Sequence, residues 1–290
     1  MTITLTTPTP DALHRAVTTL REWQHDESPT QLHPGDLGWY WRTGTEATAA
    51  AVRIWTSSGR VLAIGLLDGP DLFRLTTAPD AYQDGELARR LVDDITTPAR
   101  GVLPPGRVNV ETPEGTLVRE SLSEAGWPLD DPWTPLIRDL TPPVPAPDPE
   151  LRIVTVGPDL AEAFTTTHRA AFRGSPFTTD RWHAMATGSP FTEARCLLAY
   201  DTGDEPVAVV TVWSAGPSRP GLLEPMGVHH AHRRRGYGEA ISVAAAAALR
   251  DLGASSALVC TPTANVAAVA TYKSAGYRER PEIRDHYRPV

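Results

Sequence analysis

Lysine is nearly absent from this chain, and cysteine and methionine are scarce, with two and three residues in 290. Cys196 and Cys260 are too few for the disulfide framework of a small secreted scaffold or for a thiolate metal site. Both fall in apolar, strand-like runs, so they read as buried thiols in a reducing cytosol, and no metal is expected. No apolar run approaches the ~20 residues of a membrane span. The opening MTITLTTPTP has no basic region followed by an apolar core, so neither a membrane anchor nor a secretion signal is expected and the location read from the sequence is cytoplasmic. Positive charge is also in deficit. A net charge of −8 and a pI near 5.6 argue against nucleic acid as a partner and favour a cationic substrate.

Proline, in contrast, is plentiful, and it marks a boundary. The stretch from Thr141 to Pro149 holds five prolines in nine residues, the composition of a stiff, extended connector. It divides the chain into residues 1–140, a linker over 141–150 and residues 151–290, each half long enough to bury its own core.

The most informative segment of the second half is Arg233-Arg234-Arg235-Gly236-Tyr237-Gly238. An extended run, Leu222 to Val228, precedes it, and Glu239 to Leu249, with the strongest helix propensity in the sequence, follows. Two glycines let the backbone turn tightly against a ligand, and the first amides of the helix have no intrahelical partner. They point outward at the positive end of the helix dipole, where a pyrophosphate would satisfy them and arginines would add charge-assisted bonds. The spacing fits neither a Walker loop nor a dinucleotide fingerprint. Further on, Ser256 to Thr261 reads as a strand, and Asn265 is placed to cap a helix that ends at Gly276, with Tyr272 in its last turns.

With these residues the chain resembles the GNAT superfamily of acetyl-CoA-dependent N-acetyltransferases, over roughly Leu151 to Arg280. The resemblance rests on the Arg-x-x-Gly-x-Gly turn, the Asn-x6-Tyr-x3-Gly-Tyr pattern and the order strand, turn, helix, strand, helix. It implies that acetyl-CoA is the cosubstrate, with its pyrophosphate on the amides of Arg233, Arg234, Arg235, Gly236 and Gly238. It implies further that Val228 hydrogen-bonds the pantetheine arm, that Asn265 lies near that arm, and that Tyr272 protonates the leaving thiolate. The reaction implied is direct aminolysis of a thioester, which also needs a base for the amine. Glu224 fits that role because it shares the alternation parity of Val228, although pairing with an arginine would explain it equally. His229 and His230 are near enough to act as bases but read as loop residues.

The first half repeats the plan of the second without its chemistry. Val52 to Trp55 and Val61 to Leu67 read as a hairpin, Leu72 to Thr76 and Arg107 to Glu111 as strands, and Glu86 to Ile95 as a helix. Where the phosphate turn belongs, Asp80 to Glu86 carries one glycine, no arginine and several acids, and Leu122 stands where the tyrosine would be. The expected fold is therefore α+β: two tandem GNAT-like domains, each a mostly antiparallel mixed sheet flanked by helices, the first a degenerate copy that walls the substrate cleft of the second.

The acceptor is read as a small cationic amine, of aminoglycoside type or a related metabolite, with a mycothiol-synthase-like acyltransferase or a non-catalytic acetyl-CoA sensor as alternatives. Phe172, Phe177 and Trp182 are candidates to line the acceptor pocket, with Asp180 to hold an ammonium. The same residues could instead serve helix packing and a helix N-cap. His33, Asp36, Trp39, Tyr40 and Trp41 form a patch that either packs on the other half or meets substrate. A homodimer is implied by the resemblance alone.

Overall fold

The computed structural model describes residues 2–145 and 151–288; of the proline-rich connector, 146–150 lie outside the described residues. The first half runs through β1 (Thr4–Thr6), α1 (Leu13–Glu22), α2 (Pro34–Tyr40), α3 (Thr45–Ala51), β2 (Val52–Ser57), β3 (Arg60–Leu67), β4 (Leu72–Thr77), α4 (Gly85–Thr96), β5 (Asn109–Glu111), α5 (Leu117–Glu124) and β6 (Leu129–Asp139). The second runs through β7 (Arg152–Thr155), α6 (Ala161–Ala171), α7 (Thr179–Ala186), β8 (Ala194–Tyr200), β9 (Pro206–Trp213), β10 (Gly221–Val228), α8 (Tyr237–Asp251), β11 (Ser256–Pro262), α9 (Val266–Ser274), β12 (Arg278–Glu279) and β13 (Ile283–Tyr287). Apart from α3 and β12, the two halves repeat one order of elements, in a mixed α+β architecture.

Local chemistry explains the elements that frame the site. After Pro206, β9 is a run of apolar and β-branched residues buried along its length, as suits a strand covered on both faces. The alanines of α8 favour helix and let it lie close on the sheet, where its Leu249 fills the space above Gly221. Asn265 caps α9, its side-chain oxygen accepting from the Ala268 amide, and Gly276 closes that helix at φ 81°.

The described residues form one sheet of 13 strands in the order β1-β2-β3-β4-β5-β13-β6-β11-β10-β9-β8-β7, with β12 beside β6. Among the described residues, only β4–β5 and β10–β11 are parallel neighbours. The halves exchange their closing strands. β6, from the first half, pairs with β11 from Trp133 to Asp139, while β13, from the second, pairs with β5, and β6 and β13 lie side by side. One apolar core runs from Ile3 to Trp127 within the first half, whereas Leu136 and Leu140 join a core of the second.

Helix α2 also crosses the boundary. Its Gly35 and Gly38 lie against the Trp213 ring, where any larger side chain would clash, and His33 Nε2 meets the Pro220 carbonyl at 3.1 Å. Trp39 stacks near His168 and Phe177. His33 and Trp39 thus pack between the halves, while Asp36, buried, accepts from the His33 amide and feels the charges of Arg74 and Glu224.

Candidate active site

The turn before α8 is shaped to receive an anion. Arg234 and Gly236 both adopt left-handed conformations, at φ 65° and 82°, so successive amides converge. Gly236 stands at the helix N-cap and no side chain caps the helix, leaving its first amides free. A groove of about 490 Å³ opens there, lined by Phe172, Val228, Arg233, Arg234, Gly236, Gly238 and Asn265 among others. Arg235 faces instead a neighbouring cavity of about 560 Å³, with Arg138 and Tyr237. The Arg233 guanidinium donates to the Ala171 carbonyl at 2.9 Å, so it fastens the turn to α6. His230 does the same through Ala170, and the His229 ring accepts from the Ala231 amide, which gives both histidines structural work in the loop.

A β-bulge determines where Glu224 points. The β9–β10 register slips by one residue between Leu223 and Met226, leaving Glu224 and Pro225 inside the irregularity. Val228 therefore shares a face with Leu223, and Glu224 does not share the alternation parity with Val228 that simple strand geometry would give it. The bulge also ends the pairing of β10 with β11 after Leu222↔Leu258. Beyond that point the two parallel strands part, and Val228 presents one backbone edge to the groove.

Glu224 opens onto a second cavity of about 500 Å³ between the halves. Its wall takes residues from six strands in ring order: Leu72 and Arg74 from β4, Asn109 and Glu111 from β5, Ile283 and Asp285 from β13, Asp130 and Trp133 from β6, Cys260 from β11 and Glu224 from β10. The repeated i, i+2 spacing is the signature of one inward face. Although β4 and β10 stand far apart in strand order, Arg74 Nη2 lies 3.7 Å from Glu224 Oε1, so the sheet curls and the ion pair closes the ring.

The cavity is acidic. Arg74, with 18% of its side chain exposed, donates to Asp68 at 3.0 Å and Glu111 at 2.8 Å, and Arg107 pairs with Asp130 at 2.9 Å. Glu224 keeps 37% of its side chain accessible, through the cavity. The surrounding walls still desolvate it and push its pKa up; Arg74 pulls it down, while Asp68 and Glu111 push it up again, for a net rise. A carboxyl raised in this way and reachable from a cleft suits proton abstraction.

Tyr272 belongs to the apolar core of the second half and is not among the residues that line the groove or the acidic cavity. Its side chain is 5% exposed, its ring meets Tyr277 edge-on at 5.8 Å, and burial first, then Glu224 and Cys260, push its pKa up. The hydroxyl therefore keeps its proton at neutral pH. Of the residues expected to frame the acceptor, Phe177 and Trp182 are core residues, 1% and 2% exposed, packed among Phe164, His168 and Phe191. Asp180 is exposed on α7 and is not the cap; Thr178 is, accepting from the Arg181 amide. Phe172 lines the groove rather than the acidic cavity. The residues missed by sequence reasoning are Arg74, Glu111 and Asp285, which come from three strands that only the curl of the sheet brings together.

The first half shows the same geometry closed. The β3–β4 register runs without a bulge from Ala63↔Thr77 to Leu67↔Phe73. Asp84 caps α4, accepting from the Glu86 and Leu87 amides at 2.9 and 3.0 Å, so a carboxylate occupies the position where the second half leaves its amides open.

Residues 158–277 match the acetyltransferase (GNAT) family. Among solved structures, the chain is similar to a GCN5-related N-acetyltransferase from Sphaerobacter thermophilus, at 19% identity and a TM-score of 0.60 over 99% of this chain and 95% of that one. It is similar also to a tandem GNAT protein from the clavulanic acid biosynthesis pathway, at 15% identity and a TM-score of 0.64 over 99% and 97%. A GNAT-family acetyltransferase from Colwellia psychrerythraea gives 13% identity and a TM-score of 0.60 over 99% and 100%. At these identities the likeness is one of fold. No curated protein matches the chain.

Proposed function

We propose that the chain, whose residues 158–277 match the acetyltransferase (GNAT) family, transfers an acetyl group from acetyl-CoA to the primary amine of a small cationic molecule held between its halves. The observation that carries this reading is the position of Glu224, at the point where β10 parts from β11 and the acidic cavity begins.

The residues present suit the cosubstrate. The uncapped amides at Gly236–Gly238, with the left-handed Arg234, would take its pyrophosphate, and the free edge at Val228 its pantetheine arm. Acetyl-CoA supplies an acyl thioester, whose C–S bond gives way as a C–N bond to the amine forms. Glu224 takes the proton that the ammonium must lose, directly or through water. Tyr272, which keeps its proton, is the acid for the departing sulfur. The carboxylates of the cavity attract and orient a cationic acceptor, in line with the net charge of −8.

Kinetics of Glu224→Gln test the assignment. The variant should lose ~10²- to 10⁴-fold in kcat/KM with unchanged affinity for acetyl-CoA. It should also lose the rise of rate with pH that a raised carboxyl pKa gives the wild type. A wild-type pH profile in the variant would remove Glu224 from the mechanism.

A further inference from the structure

We propose that Asp285 holds a second cationic centre of the acceptor, so that the molecule acetylated is a small dication spanning the cavity between Glu224 and Asp285. The proposal rests on the acetyl-transfer reading only for which end of that molecule reacts.

Asp285 is the observation that stands apart from the acidic lining as a whole. Its residue is 9% exposed and lines the cavity, and among the described residues its carboxylate has no hydrogen bond and no ion pair. The guanidiniums within reach are committed elsewhere: Arg74 to Asp68 and Glu111, Arg107 to Asp130, and Arg119 to Glu114 at 2.8 Å. A buried carboxylate without a hydrogen bond or ion pair is costly, because the pull of Arg74 and Arg119 from further away returns only part of the desolvation of the charge. Burial and the neighbouring Glu111 push its pKa up to about 7, so near neutrality it already sheds part of its charge, and an arriving ammonium would restore it.

Placement supplies the second part of the argument. Around the ring of six strands, β13 and β10 are opposite one another, three positions apart in either direction once Arg74 and Glu224 close the circle. Asp285 and Glu224 therefore stand on opposite walls of one lumen. Glu224 already has Arg74 at 3.7 Å, whereas Asp285 has no ion pair among the described residues, so a monocation meets only one end of the lumen. A molecule with an ammonium at each end satisfies both: the end at Glu224 gives up its proton and reacts, and the end at Asp285 stays charged and fixes the length and direction of the chain. At about 500 Å³ the lumen admits a small molecule of this kind.

Calorimetry on the whole chain, without acyl donor, tests this with putrescine, cadaverine, and butylamine, the last having the carbon chain of putrescine and a single ammonium. At least one diamine should bind tenfold or more tightly than butylamine. Asp285→Asn should erase that advantage while leaving butylamine within twofold of its wild-type affinity. Equal affinities of all three amines for the wild type, no binding of any, or an equal loss for mono- and diamine in the variant would overturn the proposal. Should Asp285→Asn not fold, the wild-type comparison decides alone. Failure of the acetyl-transfer reading would look different: diamine binding that depends on Asp285, with no thiol released when acetyl-CoA is added.

Discussion

Asp285 illustrates how a single residue can oppose stability in the service of a site. Its carboxyl is raised from the ordinary 3.8 to about 7, by burial and by Glu111 and Asp130 against the pull of Arg74 and Arg119. Between those two pH values the folded chain binds more protons than the unfolded one, so this group makes stability fall as pH rises, and the penalty is complete above about pH 7. The rise corresponds to at most ~4 kcal/mol. Asp285→Asn should therefore raise the melting temperature at pH 8, with a gain that shrinks towards pH 4; thermal unfolding across that range measures it. A lower melting temperature in the variant at pH 8 would mean that Asp285 has a stabilising partner. At this scale the sequence was informative about where Tyr272, Asn265 and the glycines of the turn sit in their helices, because each has a local signature. It was silent on Arg74 and Asp285, which are ordinary charged residues of short strands until the fold juxtaposes them. Phe177 and Trp182 stayed open between pocket and packing, because an aromatic residue in a core and one in a pocket look the same in sequence; the structure places both in the core.

Among the elements, the contrast between α4 and α8 is decisive. Both follow a turn at the end of a corresponding strand, and they differ in what stands at the N-cap: Asp84, whose carboxylate takes the first amides, or Gly236, which leaves them open. Gly236→Asp would transplant the closed arrangement. Nothing lies within 4 Å of a side chain added there, so the change acts through the φ of 82° and through the carboxylate rather than through a clash. It should cost acetyl-CoA tenfold or more in affinity by calorimetry, with little change in helix content by circular dichroism; unchanged affinity would take the pyrophosphate away from this turn. The order of elements was readable from hydrophobic period and turn residues. The bulge in β10 was not, since one extra residue in a strand leaves no trace in alternation short enough to count, and it reversed the face inferred for Val228 relative to Glu224.

For the whole molecule, the exchange of closing strands changes what a domain boundary means. The prolines from Thr141 onward suggest a clean division, and the cores largely respect it, but β6 and β13 each complete the sheet of the other half. Neither strand was expected. In β6, Pro132 and Pro135 argue against a central strand, yet their carbonyls still accept, from Thr263 and Arg280 at 3.0 and 2.8 Å. A chain cut at a protease site placed between residues 145 and 151 should elute as one species and unfold in one transition within a few degrees of the intact protein. Fragments that separate without denaturant would contradict the exchange. The same exchange assembles the acidic lumen from both halves, so acetyl transfer is a property expected of the intact chain. Its most direct test is amine-dependent release of coenzyme A thiol from acetyl-CoA, measured across aminoglycosides, mycothiol precursors, polyamines, amino acids and short peptides. Small cationic amines should give saturable release, and omission of the amine only background. Tight binding of acetyl-CoA with no amine-dependent release from any member of the panel would contradict acetyl transfer and point to a sensor of the cosubstrate.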